Sequence, residues 1–267
     1  MKIFSFNVNG LRARFHQLSA VIDKHSPEII CLQETKVDNE NYPMERINEL
    51  GYKAIINGQK GHYGVSTLYK SEPIDIQIGF PTDKKDAQCR LISSKHKFSS
   101  QEVTIINGYF PQGESRDHPK KFPYKEKFFK DLMIYLNENF TPNDNIIILG
   151  DLNISPEDID IGIGENNRKR WLATGKCSFL PEEREWLKKI KTWGFFDSYR
   201  KFFPDSNDKF SWFDYRSRGF DDNPKRGLRI DHLWVTKPLL DMAIESEIDY
   251  EIRGMEKPSD HAPVWTE

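Results

Sequence analysis

The chain has 267 residues, 37% of them hydrophobic and 13% aromatic, and its 30% charged positions nearly cancel to a net charge of −2. That is enough apolar material for one large α/β core or two small ones. It also excludes a globally basic nucleic-acid binder, so any such role falls to local patches. The three cysteines (Cys31, Cys89, Cys177) are odd in number and lie in no metal-ligand spacing. They argue against a disulfide scaffold and for a reducing, cytoplasmic setting. Met1-Lys2 runs straight into strand-like sequence and no apolar run is long enough to cross a bilayer, so neither a signal peptide nor a membrane role is expected.

Taken in order, Ile3–Val8 reads as a strand and Leu11–His25 as a helix, with Leu11, Phe15, Leu18, Val21 and Ile22 at helical spacing and Pro27 beyond its end. Ile29–Gln33 is a second strand and Pro43–Leu50 a short helix closed by Gly51. Tyr52–Asn57, Val65–Tyr69, Ile74–Ile78, Leu91–Ser94 and Val103–Tyr109 are extended in character. The amphipathic helix Tyr124–Asn137 leads to a strand at Ile146. Pro181–Trp193 is a helix opened by proline and two glutamates, and Leu228–Val235 and Ala262–Trp265 complete the strands. Two polar, Gly- and Arg-rich stretches, 158–179 and 206–226, read as long loops, and loops of that length in a compact domain tend to be functional. No linker divides the chain, which predicts a single domain over 1–267. The hairpin-like strands between 52 and 109 predict a mixed α/β sandwich, two sheets with helices outside, over a purely parallel sheet.

The apolar run Ile146-Ile147-Ile148-Leu149 stops at Gly150 and then offers Asp151 and Asn153. In an extended backbone positions i and i+2 share a face, so both side chains should enter one space at the end of a core strand. Other runs end alike: at Asn7 with Asn9, at Gln33-Glu34, at Asn107 with Tyr109, at Asp231, and at Asp260-His261 before the last strand. Any one of these is an ordinary strand end, since Asn and Asp suit turns. Six of them converge if the core strands of one sandwich bring their ends together. The set then holds many oxygens, one imidazole and no thiolate, which selects Mg²⁺ or Mn²⁺ over zinc and points to phosphate-ester hydrolysis. A nucleophilic triad fits poorly, because no G-x-S-x-G elbow is present, and no Gly-rich nucleotide loop is found.

The segments Ser5–Arg12, Leu32–Lys36, Asn107–Pro111, Gly150–Asn153 and Ser259–Pro263 resemble the endonuclease/exonuclease/phosphatase superfamily, and within it the exonuclease III family of abasic-site endonucleases. Gly58–Gly64, Pro111–Arg116, Glu165–Trp171, Ser211–Ser217 and Arg226–Asp231 extend the likeness over essentially the whole length. The resemblance implies a four-layer α/β sandwich of the DNase I type. It implies Glu34 as principal ligand of Mg²⁺ (Mn²⁺ substituting), with Asn7, Asp151, Asn153 and Asp260 around the ion. It implies Asp151 as the carboxylate that handles the proton, Asn153 positioning phosphate or water, Tyr109 on the phosphoryl group, and His261 oriented by Asp231. Departures are confined to Pro224-Lys225, which lengthens a loop, and to Thr266-Glu267, which closes the last strand early enough to suggest that the natural chain continues.

DNA binding is then expected from local charge: Arg90, Arg116, Lys120, Lys121 and Lys125, a second cluster at Arg168-Lys169-Arg170, and Gln112 among them. Trp212, Phe213, Leu228 and Ile230 are expected to wall a pocket for an extruded abasic sugar. The implied activities on double-stranded DNA are incision 5′ of abasic sites, 3′→5′ exonucleolytic removal of nucleotides and clearance of 3′ phosphates and phosphodiesters, by a monomer. Two other classes compete: a phosphatase of inositol phosphates or sphingomyelin, and a catalytically silent DNA-binding module.

Overall fold

A computed structural model describes all 267 residues. Twelve strands form two six-stranded sheets. The strands are β1 (Ile3–Asn7), β2 (Ile29–Gln33), β3 (Lys53–Asn57), β4 (Val65–Tyr69), β5 (Asp75–Ile78), β6 (Leu91–Phe98), β7 (Gln101–Tyr109), β8 (Ile146–Asp151), β9 (Phe195–Asp197), β10 (Asp231–Thr236), β11 (Ser246–Ile248) and β12 (Val264–Thr266). The first sheet runs β11-β12-β1-β2-β4-β3 and the second β5-β6-β7-β8-β10-β9. Each has one parallel pair at its centre, β1 with β2 and β7 with β8, and antiparallel neighbours elsewhere. The helices are α1 (Phe15–His25), α2 (Met44–Glu49), α3 (Lys121–Asn139), α4 (Glu165–Ala173), α5 (Pro181–Trp193), α6 (Ser198–Phe202), α7 (Lys237–Met242) and α8 (Tyr250–Arg253). No helix is long and apolar enough to cross a membrane.

Strand parity builds the layers. On β8, Ile147 and Leu149 enter a core cluster that also holds Ile3, Cys31, Ile105 and Leu233 from both sheets, while Ile146 and Ile148 pack outward beneath Phe129 and Leu132 of α3 and Leu187 of α5. On β1, Ile3 faces inward while Phe4 and Phe6 join Leu18 and Val21 of α1. Three apolar layers therefore separate helix, sheet, sheet and helix, the expected four-layer α/β sandwich.

The same parity carries on toward one end of the inner layer, where the side chains become polar. Gln33 Nε2 donates to Asn107 Oδ1 at 2.9 Å, and Asn107 Nδ2 donates to the Ser66 carbonyl at 3.0 Å. Asn107, inside β7, and Gln33, at the end of β2, are thus a fully buried bridge between the sheets.

Several elements differ from the sequence reading. Leu11–Arg14 is a separate 3-10 turn ahead of α1. The stretch 158–179 holds a 3-10 turn at Asp158–Asp160 and α4, whose only buried residue is Trp171, so no apolar stripe announced it. In place of a strand over 228–230, Leu228 alone makes isolated bridges, to Ile161 and Trp212, and β10 begins at Asp231. The short β9, α6, α7, β11 and α8 span three to six residues each, too few for periodicity to register.

Candidate active site

The topology explains why the polar ends meet. The carboxyl ends of the two central parallel pairs share one edge of the sandwich, and β10 and β12, antiparallel to their neighbours, begin at that edge. In register, Tyr109 stands beside Asp151 and Asp151 beside Asp231. Gly150 is required just before the acid: its φ is +135°, and a Cβ there would lie 1.9 Å from the Gly108 carbonyl oxygen of β7.

Asp151 is 2% exposed and both its oxygens are held, Oδ2 by Asn7 Nδ2 at 2.9 Å and Oδ1 by the Asn153 backbone N–H at 3.0 Å. Burial, with the negative charges of Asp231 and Glu34, pushes its carboxyl up to about 7 against the opposing pull of His261 and the Asn7 hydrogen bond. His261 Nδ1 lies 2.8 Å from Asp231 Oδ2, and its Nε2 lies 3.8 Å from Asp151 Oδ2. Burial alone would discharge this imidazole, but the carboxylates of Asp231, Asp151 and Asp260 overcome it and raise the group to about 10, so it is a cation at neutral pH. Burial also carries the Tyr109 phenol well above its usual range, helped by the negative charges of Glu34 and Asp151, and it stays protonated.

Around this centre, Asn9 donates from its backbone to Asn7 Oδ1 at 3.0 Å and from Nδ2 to Asp260 Oδ1 at 2.8 Å. Trp212 Nε1 donates to Asp260 Oδ2 at 3.0 Å, and Lys36 Nζ lies 3.1 Å from Glu34 Oε1. Asn9, Glu34, Lys36, Tyr63 and Asn153 all have φ between +43° and +56°. Such left-handed backbone costs of order 1–3 kcal/mol per residue outside glycine and gathers where side chains must be aimed. It is held here by Lys36 N–H to the Tyr63 carbonyl at 2.9 Å and Thr35 N–H to the Gly64 carbonyl at 3.0 Å. Asn9 was visible as the second amide after Asn7. Nothing in the sequence singles out Lys36 beside Glu34.

One cluster of possible metal-ligand atoms is gathered at the site. Ligand atoms of Asp151, Asp231 and His261 lie within 4.8 Å of one another. An imidazole that carries a proton on each nitrogen has no lone pair to give, so this trio suits proton handling and charge stabilisation better than coordination. Glu34, Asn7 and Asp260 offer oxygen donors only, the chemistry a hard divalent ion takes, with Asn7 Oδ1 and both Asp260 oxygens here accepting from Asn9 and Trp212. Asp231 Oδ1, buried and without a hydrogen-bond partner, adds to the negative character of the cleft.

The expected DNA-binding residues divide. Arg90 is buried among Tyr63, Tyr109 and Tyr124, its guanidinium 4.1 Å from the Tyr63 ring centre and 4.7 Å from that of Tyr109. Arg90, Gln112, Lys120 and Lys121 line one cleft beside Tyr109. Arg116 is ion-paired with Glu182, and Arg168 with Asp158 and Glu165. Lys125 is no surface group: it is fully buried, with Nζ 2.5 Å from Glu183 Oε1 and 2.9 Å from the Asn153 carbonyl. Of the expected sugar pocket, only Trp212 keeps open surface. Leu228 and Ile230 are buried with Trp171 and Phe179 behind it. Phe213 turns the other way into Phe210, Phe220 and Tyr250, because adjacent residues on an extended segment face opposite sides.

The Endonuclease/Exonuclease/phosphatase family matches residues 4–261. The chain is 58% identical over 267 residues to the exodeoxyribonuclease III of Haemophilus influenzae, covering 100% of this chain and 99% of that protein. Among solved structures, a 3′ phosphatase from Neisseria bound to a product DNA hairpin superposes with a TM-score of 0.91 at 34% identity, covering 100% of this chain and 98% of that one. An AP endonuclease from Archaeoglobus fulgidus superposes with a TM-score of 0.89 at 33% identity, again covering 100% and 98%.

Proposed function

The chain belongs to the Endonuclease/Exonuclease/phosphatase family, within it to the bacterial exonuclease III type, and from that premise we propose a Mg²⁺-dependent nuclease that repairs duplex DNA. It would incise 5′ of abasic sites, remove nucleotides 3′→5′ and clear 3′ phosphates and phosphodiesters. The observation that carries the reading is the buried trio of Asp151, His261 and Asp231, a carboxyl poised near neutrality facing an imidazolium oriented by a second acid.

These groups suit attack of water on phosphorus. Asp151, its carboxyl raised by burial to about 7, accepts the proton of the attacking water, since a base is most effective with a pKa near the working pH. The His261 imidazolium and the Tyr109 phenol donate to phosphoryl oxygens as negative charge grows on them. Asn153 has one amide hydrogen committed to the Phe110 carbonyl at 3.0 Å, which leaves its Oδ1 to orient the water. Glu34, Asn7 and Asp260 would hold Mg²⁺, or Mn²⁺ in its place, and the bound ion supplies Lewis-acid charge at the phosphate. Lys120, Lys121 and Gln112 would contact the DNA backbone, which positions a duplex without reading its sequence. Trp212 supplies the apolar face for the extruded sugar.

The test is a comparison of three substrates, each with Mg²⁺ and with EDTA: a duplex carrying an abasic analogue, an intact duplex and an inositol polyphosphate. Mg²⁺-dependent incision of the abasic duplex, with or without slower digestion of the intact one, supports the proposal. Phosphate release from the inositol compound without DNA cleavage refutes it, as does DNA binding without turnover.

A further inference from the structure

On the face of β10 turned away from Asp231 lies a cavity of about 490 Å³ that no step above uses. Its wall is apolar at Leu187, Phe196, Trp234 and Leu240 and holds six cationic side chains against three carboxylates, Glu157, Glu185 and Asp197; of the cations, Arg184 and Arg200 are also paired with Asp158 and Asp160. Three of its buried polar atoms have no hydrogen-bond partner: Trp234 Nε1, Arg184 Nη2 and Arg200 Nε. Trp234 itself is 3% exposed. Every one of the three is a donor, and no buried acceptor of the lining is left over. Buried N–H groups ordinarily find acceptors, so the set calls for a ligand rich in oxygen acceptors.

Charge leads to the same chemistry. Lys201 Nζ bonds only the Leu240 and Ala243 carbonyls, each at 2.6 Å, and pairs with no carboxylate. Lys188 and Lys191 are only loosely matched, at 3.6 Å to Glu185 and 3.9 Å to Glu157. Phe196 is 37% exposed and offers a ring face at the mouth. The volume falls in the range of pockets for small organic ligands.

We propose that this cavity binds a small phosphorylated ligand of mononucleotide size. Its phosphate would sit among Arg184, Arg200 and Lys201 and its planar ring against Phe196 and Trp234. The site shares no lining residue with the catalytic cleft, and its nearest covalent link to it is Arg229, at the cavity floor and two residues before Asp231. The proposal therefore stands whichever DNA the enzyme cuts.

The indole N–H resonance of Trp234, assigned with Trp234→Phe, reports directly on the cavity in the full-length protein kept in EDTA. Titration with dAMP should shift it saturably, and with at least about tenfold tighter binding than inorganic phosphate. Lys201→Glu should weaken dAMP binding by about tenfold or more. Phe196→Ala should weaken dAMP binding and leave phosphate binding unchanged. Both variants should incise an abasic duplex at the wild-type rate. Three results would each overturn the proposal: no shift with dAMP, a shift indifferent to Lys201→Glu, or equal affinity for dAMP and phosphate.

Discussion

Lys125 offers the sharpest contrast between what its neighbourhood in the sequence implies and where it lies. It sits in a basic stretch with Lys120 and Lys121, as a DNA-contacting lysine would, yet it is fully buried against Glu183. Its ammonium also donates to the Asn153 carbonyl at 2.9 Å and the Gln112 carbonyl at 3.2 Å, tying down the loop that carries Asn153. Removing one partner of a buried ion pair typically costs 3–5 kcal/mol, because the other charge is left uncompensated. Glu183 keeps two backbone donors, Ser178 and Leu180, both at 2.8 Å, so Lys125→Met should cost about 3 kcal/mol, at the low end of that range. For a domain of this size that is a fall in Tm of roughly 6–12 °C by calorimetry or circular dichroism. Lys125→Met/Glu183→Gln should recover most of it, since a neutral carboxamide oxygen still accepts both N–H groups. A Lys125→Met protein with unchanged Tm, weaker DNA binding and a salt slope reduced by about one would show that Lys125 meets phosphate instead.

Asp151→Asn should lower incision of an abasic duplex by at least about 10²–10⁴-fold while leaving binding to that duplex near wild type, because shape is kept and proton transfer is lost; gel-based incision and fluorescence anisotropy read the two. Asp231→Asn removes the carboxylate that does most to keep His261 charged, so its pKa should fall from about 10 toward or below the ordinary histidine value. The pH–rate profile should then lose its alkaline side and decline through neutrality, and an unchanged profile would exclude an imidazolium role. Glu34→Ala should raise the Mg²⁺ concentration needed for half-maximal incision. Gly150→Ala, with a Cβ 1.9 Å from the Gly108 carbonyl and φ at +135°, should cost about 3 kcal/mol or more and take activity with it, measured by Tm and incision.

What the sequence showed and what it hid have separate physical causes. Strand ends were legible because an abrupt change from Ile and Leu to Asp, Asn or Glu marks the edge of a core, and those residues are local. Lys125 and Phe213 were misplaced because a burial partner is tertiary: Glu183 lies on another helix, and the ring of Phe213 is captured by Phe220 and Tyr250. Helix α4 was missed because its residues are nearly all polar and its single buried side chain gives no period. The small elements near the C-terminus were missed because three to six residues carry too little pattern to read.

The chemistry of Asp151 follows from the same rule that builds the core. Inward-facing Ile147 and Leu149 fix the parity of β8, so Asp151 has to enter the space between the sheets; facing outward, it would meet α3 and α5. Entering that space removes it from water, and burial is the largest single cause of its raised pKa. Without a cation near it the carboxyl would be pushed higher still, sit neutral through the working range and be unable to serve as a base. The imidazolium of His261 at 3.8 Å pulls the other way and keeps the ionised form within reach. That cation is in turn maintained by Asp231, which β10 delivers in direct register with Asp151. One pairing of antiparallel strands thus sets both the acid's burial and the charge that offsets it, and its position is legible in the sequence while its titration is not.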